Sequence, residues 1–181
     1  MIGLPGDSKE KALYSAEAAV ALAPDFIRIY PTVVLAGSKL ADMYLEGLYS
    51  PFSTSETVDI AKEMVRIFLE AKIPVIRMGL KSTDNISNDA DLSGQYHPAF
   101  RQLVEGSLAL DDVLQQLCKL QIQHDTIILS ANPKSFSNLI GHKGTNKKRL
   151  QELYPHVQFQ YRPDSSIPVG HYLVKRNGQS V

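Results

Sequence analysis

The chain has 181 residues, and its 19 Lys and Arg balance its 19 Asp and Glu. This balance excludes a uniformly basic nucleic-acid coat and an acidic tail protein. The charge is nevertheless divided, because residues 1–131 hold 11 basic and 17 acidic side chains, whereas residues 132–181 hold 8 basic and 2 acidic ones. A net charge of about −6 beside one of about +6 predicts an anionic partner, such as a nucleic acid, for the basic end.

The single cysteine, Cys118, excludes a disulfide framework, and it excludes a cysteine-clustered zinc or iron–sulfur site built from this chain alone. No apolar run approaches the roughly 18–20 residues that cross a bilayer. These features predict a cytoplasmic protein without a membrane partner.

The first half alternates strands and helices. Its predicted elements, in order, are a strand end with a tight turn over 2–7, a helix over 9–22, a strand over 26–30, helices over 39–46 and 54–71, and a strand over 73–78. A capping box of Ser53 and Glu56 opens the long helix. Apolar strands separated by helices predict a parallel sheet covered by helices, and any site is then expected at the carboxyl ends of its strands. A strand that follows Met1 directly predicts that earlier units are missing.

The second half changes character. Residues 81–96 have no period and predict a loop that is functional or mobile. The remaining predicted elements are helices over 97–105, 110–119, 133–140 and 145–153, strands over 125–131, 157–161 and 172–174, and a tight loop at 141–144. The strand over 157–161 has Val157, Phe159 and Tyr161 on one face. The first two helices are expected to be separate because Gly106 lies between them. His97 is expected to cap or pack its helix rather than bind metal, and Cys118 is expected in the core.

Several stretches of the first half are similar to known sequences. Ile2-Gly3-Leu4-Pro5-Gly6 resembles the mid-barrel strand of radical S-adenosylmethionine (SAM) enzymes. The stretch from Arg28-Ile-Tyr-Pro-Thr to Gly47-Leu-Tyr49 is similar to the Elongator catalytic subunit family. Ile76-Arg-Met-Gly-Leu80 and Gly94-Gln-Tyr-His-Pro-Ala-Phe-Arg101 resemble a bacterial branch of that family without an acetyltransferase domain.

This resemblance implies an α/β protein built on half of a (β/α) barrel. In the family, a CxxxCxxC loop binds the 4Fe–4S cluster that cleaves SAM. That loop is absent here, so we expect the C-terminal half of a longer enzyme, with residues 1–105 in the barrel, 106–124 as a connecting helix and 125–181 as a small α+β module. SAM and the cluster are expected in the full-length parent, together with the missing N-terminal barrel half. The chain alone is expected to bind neither and to be inactive.

The resemblance also implies which residues face SAM or substrate, namely Gly3, Gly6, Arg28, Tyr30 and Arg77. Arg28 either binds a carboxylate or phosphate or pairs with a buried Asp. For Tyr30, a wedge between helix and sheet is favoured over ligand contact, and a tight turn is sufficient to explain the two glycines. No catalytic residue and no metal ligand is predicted.

The basic end contains Leu139-Ile-Gly-His-Lys-Gly-Thr-Asn-Lys-Lys-Arg-Leu150, which resembles the GxxG loop of KH domains. In those domains the bare backbone of the loop lies against the phosphates of a single strand. By this resemblance the RNA-binding residues are Gly141, His142, Lys143, Gly144, Lys147, Lys148 and Arg149. Lys147 departs from the pattern, which has an aliphatic residue there, and a plain turn between two helices is the alternative.

The resulting interpretation is a radical SAM enzyme fragment that acts on RNA, with transfer RNA the favoured class. One alternative is a radical SAM enzyme like the oxygen-independent coproporphyrinogen III oxidases, which share Gly-Leu-Pro-Gly. The other alternative is a stand-alone RNA-binding module.

Overall fold

The computed structural model describes residues 1–81, 91–120, 122 and 126–178. The chain separates into two compact units, Met1–Val104 and Glu105–Val181. Both combine helices with strands, so the predicted α/β class is confirmed at this level. The half-barrel and the three-part domain organisation stay predictions.

The first unit contains short parallel strand segments joined by helices. Its elements are α1 (Lys9–Ala21), β1 (Ile27–Ile29), α2 (Lys39–Leu45), α3 (Thr54–Glu70), β2 (Val75–Met78) and the start of α4 (Phe100–Lys119). β1 and β2 are parallel neighbours. On the other side of β1, the Ile2 amide donates to the Tyr30 carbonyl (3.0 Å) and the Thr32 amide donates to the Ile2 carbonyl (2.8 Å). Three consecutive segments therefore run in the same direction.

The helices of this unit begin where polar side chains cap them. The Ser8 hydroxyl accepts from the Lys11 amide at the start of α1. Both bonds of the predicted Ser53–Glu56 capping box are present at the start of α3. α3 packs against α1 and buries the stripe formed by Thr57, Ile60, Ala61, Met64, Val65 and Phe68. Capping and amphipathic spacing thus fix these helices as the sequence predicts.

Part of the predicted loop over 81–96 is well defined. Residues 82–90 lie outside the described residues, and so does His124. Asp91 is buried, and its carboxylate accepts from the Ser93 amide (3.0 Å), the Ser93 hydroxyl (2.7 Å) and the Tyr96 amide (2.6 Å). The Leu92 amide donates to the Val34 carbonyl. Residues 91–96 therefore form a turn organised by one carboxylate.

Two predictions about helix α4 were wrong. It continues through Gly106, which was predicted to separate two helices, because one glycine costs a long amphipathic helix only about 1 kcal/mol. Cys118 is exposed rather than in the core, since the buried stripe of this helix passes through Val113 and Leu117. His97 makes a capping contact of the expected kind, since its Nδ1 accepts from the Ala99 amide (3.1 Å) just before the helix.

The second unit is built around one three-stranded sheet. Besides α4, its elements are β3 (Thr126–Ala131), α5 (Phe136–Ile140), a 3₁₀ turn (His142–Gly144), α6 (Thr145–Leu153), β4 (Gln158–Pro163) and β5 (Tyr172–Arg176). The strand order is β4–β3–β5, with β4 parallel and β5 antiparallel to β3. The core is formed by Val113, Leu117, Ile127, Leu129, Ala131, Leu139, Leu150, Val157 and Val174. Across the described part of the chain, no helix is long and apolar enough to cross a membrane.

Candidate functional site

The turn at Gly3 and Gly6 is held by side chains of its own unit. Gly3 has a φ of +86°, its amide donates to Asp7 Oδ2 (2.7 Å), and its carbonyl accepts from the Tyr49 hydroxyl (2.6 Å). Burial raises the pKa of Tyr49, and the Asp7 charge raises it further. Gly6 has a φ of +75°, and a β-carbon there would have no heavy atom within 4 Å. The tight turn accounts for the positive φ of Gly3. At Gly6, the space that a β-carbon would occupy is open.

Tyr49 is a residue whose role the sequence did not predict. It closes the Gly-Leu-Tyr stretch of the family resemblance, and it is 8% exposed. Its hydroxyl fixes the strand end from 46 positions away in the sequence. Its place in the motif is a sequence signal that the residue matters. No local sequence pattern predicts which carbonyl its hydroxyl contacts.

Arg28 and Arg77 are register partners on neighbouring strands, and both lie opposite the buried face formed by Ile29 and Met78. Arg28 is exposed and Arg77 half-buried. None of the described acidic residues pairs with either one, so a buried Arg28–Asp pair is not seen in this part of the chain. Tyr30 is half-buried, and its place two residues after Arg28 puts both on one side of the extended chain. Like charges directly opposite on a sheet are unfavourable unless an anion lies between them.

Two buried hydroxyls of the first unit have no described partner. These are Thr32 Oγ1, after β1, and the Tyr96 hydroxyl. Gly79, after β2, has a φ of +81°, and a β-carbon there would lie 2.9 Å from the β-carbon of Phe100. Close packing therefore explains Gly79. No cluster of three or more potential metal ligands occurs within the described ranges.

The loop between α5 and α6 has an unusual backbone. Gly141, Lys143 and Gly144 have φ angles of +79°, +52° and +77°. A β-carbon on Gly141 would lie 2.7 Å from the Asn146 amide nitrogen, whereas one on Gly144 would meet nothing within 4 Å. The first glycine is required by close packing, and the second leaves that side of the loop backbone uncovered.

Asn146 holds this loop in place. Its side chain is 5% exposed, and its Nδ2 donates to the Gly106 carbonyl (2.7 Å) and to the Asn138 carbonyl (2.9 Å). Asn138 Nδ2 donates in turn to Glu105 Oε2 (3.0 Å). The side-chain amide of Asn146 thus ties the start of α6 to α4 and to α5.

The basic side chains around the loop fall into different environments. Lys143, Lys147 and Lys148 are exposed, and no acidic residue of the described part pairs with them. Arg149 lies 3.4 Å from the carboxylate of Glu152, an exposed pair of small energetic weight. The ammonium of Lys147 lies over the ring of Tyr161, 5.6 Å from its centroid. Three lysines of the predicted RNA-binding set are therefore available to an anion.

A cavity adjoins the second glycine of the loop. Its volume is about 350 Å³, and it is lined by Gly144, Lys147, Lys148, Gln151, Phe159 and Tyr161. Strand β4 places Phe159 and Tyr161 on one face, as the period of two in the sequence predicts. Among the predicted RNA-binding residues, the structure brings Gly144, Lys147 and Lys148 to this cavity. The other four predicted residues do not line it.

One of the two aromatic rings that line the cavity packs against Tyr154. The ring of Phe159 stands edge-on to Tyr154, with centroids 6.2 Å apart and planes at 77°. The Tyr161 hydroxyl is buried and has no partner among the described residues. Burial raises the pKa of Tyr161 to about 12, so this phenol is neutral at physiological pH. The alternation of residues along this strand predicts the shared face of the two rings, whereas the cavity that they form with α6 was not predicted.

Comparison with known proteins bears on the first unit. Residues 24–109 match the model of the Radical SAM C-terminal domain family. The chain is also 27% identical over 97 residues to the uncharacterized protein MJ0486 of Methanocaldococcus jannaschii. That alignment covers 54% of this chain and 29% of the relative, so the chain spans less than a third of the relative's length. Residues 24–109 are therefore similar to the C-terminal domain of radical SAM proteins, in agreement with the resemblance of the first half.

Proposed function

We propose that the chain is the C-terminal part of a cytoplasmic radical SAM enzyme that acts on RNA, with transfer RNA as the favoured class. In this proposal the first unit completes the Elongator-like barrel, and the KH-like second unit binds the RNA backbone. The observation that carries the RNA assignment is the loop at Gly141–Gly144, where Gly144 leaves space for a ligand beside three lysines that have no acidic partner among the described residues. A glycine backbone that has no side chain and lies next to cations can approach the phosphates of a nucleic acid closely.

The residues of this chain do not fit a 4Fe–4S cluster. Such a cluster needs several thiolates, and the chain has only Cys118, which is exposed on α4. We therefore assign the cluster ligands to another part of the parent protein and derive no chemical step from the cluster here.

Two arginines of the first unit fit the carboxylate of SAM better than they fit an apolar ligand. Arg28 and Arg77 stand side by side in register, and no described acid neutralises them. A planar guanidinium binds carboxylate or phosphate through two parallel hydrogen bonds. The same pair also supports the alternative of a substrate rich in carboxylates, such as a coproporphyrinogen, although that alternative leaves the basic loop without a role.

The RNA assignment is tested by filter binding of transfer RNA across a range of salt concentrations. Binding should weaken steeply as salt rises, because lysine contacts release counterions from the phosphates. Gly144→Asp should abolish binding by placing a carboxylate at the open backbone. Gly37→Asp is the matched control, because Gly37 has nearly the same φ and equally open space but belongs to no predicted site. Salt-independent binding, or equal binding by the Gly144→Asp variant, contradicts the proposal.

The enzyme assignment has a separate test. Sequence upstream of Met1 in the gene should encode CxxxCxxC, and the complete protein, reduced without oxygen, should release 5′-deoxyadenosine from SAM. A genuine start codon at Met1 contradicts the enzyme fragment and favours the stand-alone RNA-binding module.

A further inference from the structure

We propose that the open face of the three-stranded sheet in the second unit is a second RNA-binding surface, which binds the base-paired stem of a folded RNA. This inference rests on the proposed RNA-binding function and adds to it the class of RNA, one that contains a double-helical stem. The loop at 141–144 joins two helices that lie on the other side of the sheet, so the open face is a separate surface.

The sheet has an open face because its helices all pack on one side. Ile127, Leu129 and Ala131 of β3 are fully buried, and α4, α5 and α6 all contribute side chains to the core that they form. Side chains alternate along a strand, so Ile128 lies on the opposite face. Ile128 is only half-buried, although it belongs to the central strand. None of the three helices therefore covers this face.

The open face presents amide and hydroxyl groups. They belong to Thr126, Ser130, Gln158 and Gln160, which register partners place on one side of β3 and β4. The hydroxyl of Thr126 donates to Gln158 Oε1 (3.3 Å), and Arg162 donates to Gln160 Oε1 (2.9 Å), whereas no described residue accepts from the Nε2 of either glutamine. Double-helical RNA is recognised largely through its phosphates and its 2′-hydroxyls, which both donate and accept hydrogen bonds. These side chains offer the complementary groups.

Two cations lie on opposite edge strands of the open face. Arg162 on β4 is exposed and Lys175 on β5 is half-buried, and their register partners on β3 are two residues apart. Standard sheet spacing puts their α-carbons roughly 12 Å apart, so the two long side chains can reach phosphates on different strands of one stem. Hydrogen bonds from Ser166, and to a smaller extent the charge of Lys175, lower the pKa of Asp164. Asp164 and Lys175 do not form an ion pair, so the cation stays available to a phosphate.

The composition of the open face favours RNA over a protein partner. The buried centre of a protein interface is commonly rich in aromatic side chains, whereas the large apolar residues that the strands place on this face are Ile128 and Leu173. Extension of the sheet by a partner strand at β5 is blocked. The side-chain amide of Gln116 already donates to the Tyr172 carbonyl (2.9 Å) and accepts from the Val174 amide (3.2 Å).

The test measures fluorescence anisotropy of three labelled oligonucleotides of equal length with the full chain: an RNA hairpin with an unpaired tail, an unpaired RNA, and the hairpin made of DNA. We expect the RNA hairpin to bind at least about tenfold more tightly than the other two, because it alone offers a stem with 2′-hydroxyls. Replacing both cations, Arg162→Ala with Lys175→Ala, should make the salt slope of hairpin binding shallower by about 1.8. The slope for the unpaired RNA should not change.

Lys119→Ala is the matched control, because Lys119 is an exposed lysine at the end of α4, in the helical layer of the same unit. It should leave both slopes unchanged. If the double variant fails to fold by circular dichroism, Arg162→Ala alone should give about half of its effect, because it removes one of the two phosphate contacts.

Three results overturn the inference. The first is equal binding of hairpin and unpaired RNA, and the second is an unchanged slope in the double variant, which leaves the face to an acidic protein. The third is a dimer in sedimentation that the double variant separates, because a second copy then covers the face. If Gly144→Asp still abolishes RNA binding in any of these cases, the proposed RNA-binding function survives. If no oligonucleotide binds, the proposed function and this inference have both failed.

Discussion

The two units each contain a Gly-x-x-Gly turn, and the turns differ in what surrounds them. In both, the glycines have positive φ, the first glycine contacts neighbouring side chains or backbone, and the second faces open space. At the first turn, Asp7 and Tyr49 occupy both the amide and the carbonyl of Gly3. At the second turn, lysines that pair with no acidic residue in the described part of the chain lie around an uncovered backbone. Glycine spacing therefore identifies a tight turn, and only the neighbouring side chains distinguish a structural turn from an anion-binding one.

The strongest test of this comparison is the first glycine of the second turn. Gly141→Ala should lower the free energy of unfolding by about 2–4 kcal/mol, because the new β-carbon would overlap the backbone of Asn146 at a positive φ. Gly3→Ala should cost less, since its nearest neighbour lies at 3.4 Å. Urea denaturation followed by circular dichroism measures both. An equal loss of unfolding free energy in the two variants would contradict the tighter packing at Gly141.

A tyrosine beside each turn sharpens the comparison. Tyr49→Phe should destabilise the protein by about 1–3 kcal/mol, because it removes a donor from the Gly3 carbonyl. Tyr161→Phe should leave stability unchanged or slightly higher, because its buried hydroxyl has no described partner. Thermal melting of the two variants beside the wild type gives the answer. Destabilisation by Tyr161→Phe would show that its hydroxyl is satisfied in solution.

Alkaline pH should lower the stability of the protein through Tyr161 and Tyr172 of the second unit. Burial raises the pKa of Tyr161 and that of Tyr172 to about 12, above the ordinary value near 10. The folded state therefore keeps protons that the unfolded chain releases. Stability is fully present below pH 10 and decreases as the pH rises from about 10 to 12. Urea midpoints across this range should fall, and they should fall less in Tyr161→Phe.

Lysines near the two turns should differ in their effect on RNA binding. Lys148→Ala should make the salt slope of RNA binding shallower by about 0.7, whereas Lys11→Ala should leave it unchanged. Lys11 lies at the first turn and donates to the Gly6 carbonyl (2.6 Å), so it serves as the matched lysine. Filter binding at several salt concentrations measures both. A shallower slope for Lys11→Ala would move the RNA site to the first turn.

The smallest expected effect is at Gly106. Gly106→Ala should stabilise the protein by up to about 1 kcal/mol, since α4 gains helix propensity and the new β-carbon stays 3.6 Å or more from Gly141 and Asn138. Chemical denaturation detects this change. A loss of stability would instead show that Asn146 needs the close approach that Gly106 allows.

Local patterns in the sequence predicted much of the fold. Residues 145–153 were predicted as a helix with the bounds that the structure gives α6, and the capping box of Ser53 and Glu56 was predicted with its geometry. These features depend on neighbours within one or two turns of the chain. The continuity of α4 through Gly106 was missed, because its amphipathic stripe outweighs one unfavourable residue.

The candidate site was less predictable, because it depends on long-range contacts. Phe159 and Tyr161 were predicted to share a face, but the cavity appears only when α6 lies against that face. Likewise, Tyr49 was known as a motif residue, yet its bond to the Gly3 carbonyl joins positions 46 residues apart. Cys118 was misplaced because an apolar neighbourhood in sequence does not fix which side of a helix faces the core.

Lys143 has a left-handed backbone, which lowers the stability of the protein, and a positive charge, which strengthens the binding of an anion. A lysine at φ +52° costs about 1–2 kcal/mol relative to a glycine, and asparagine also adopts this conformation readily. A loop selected for folding alone would carry one of those two residues. The lysine is explained if the charge that it brings to the loop is used, and the second unit then gives up part of its folding free energy for affinity. Lys143→Asn is accordingly expected to give a more stable protein that binds RNA less well.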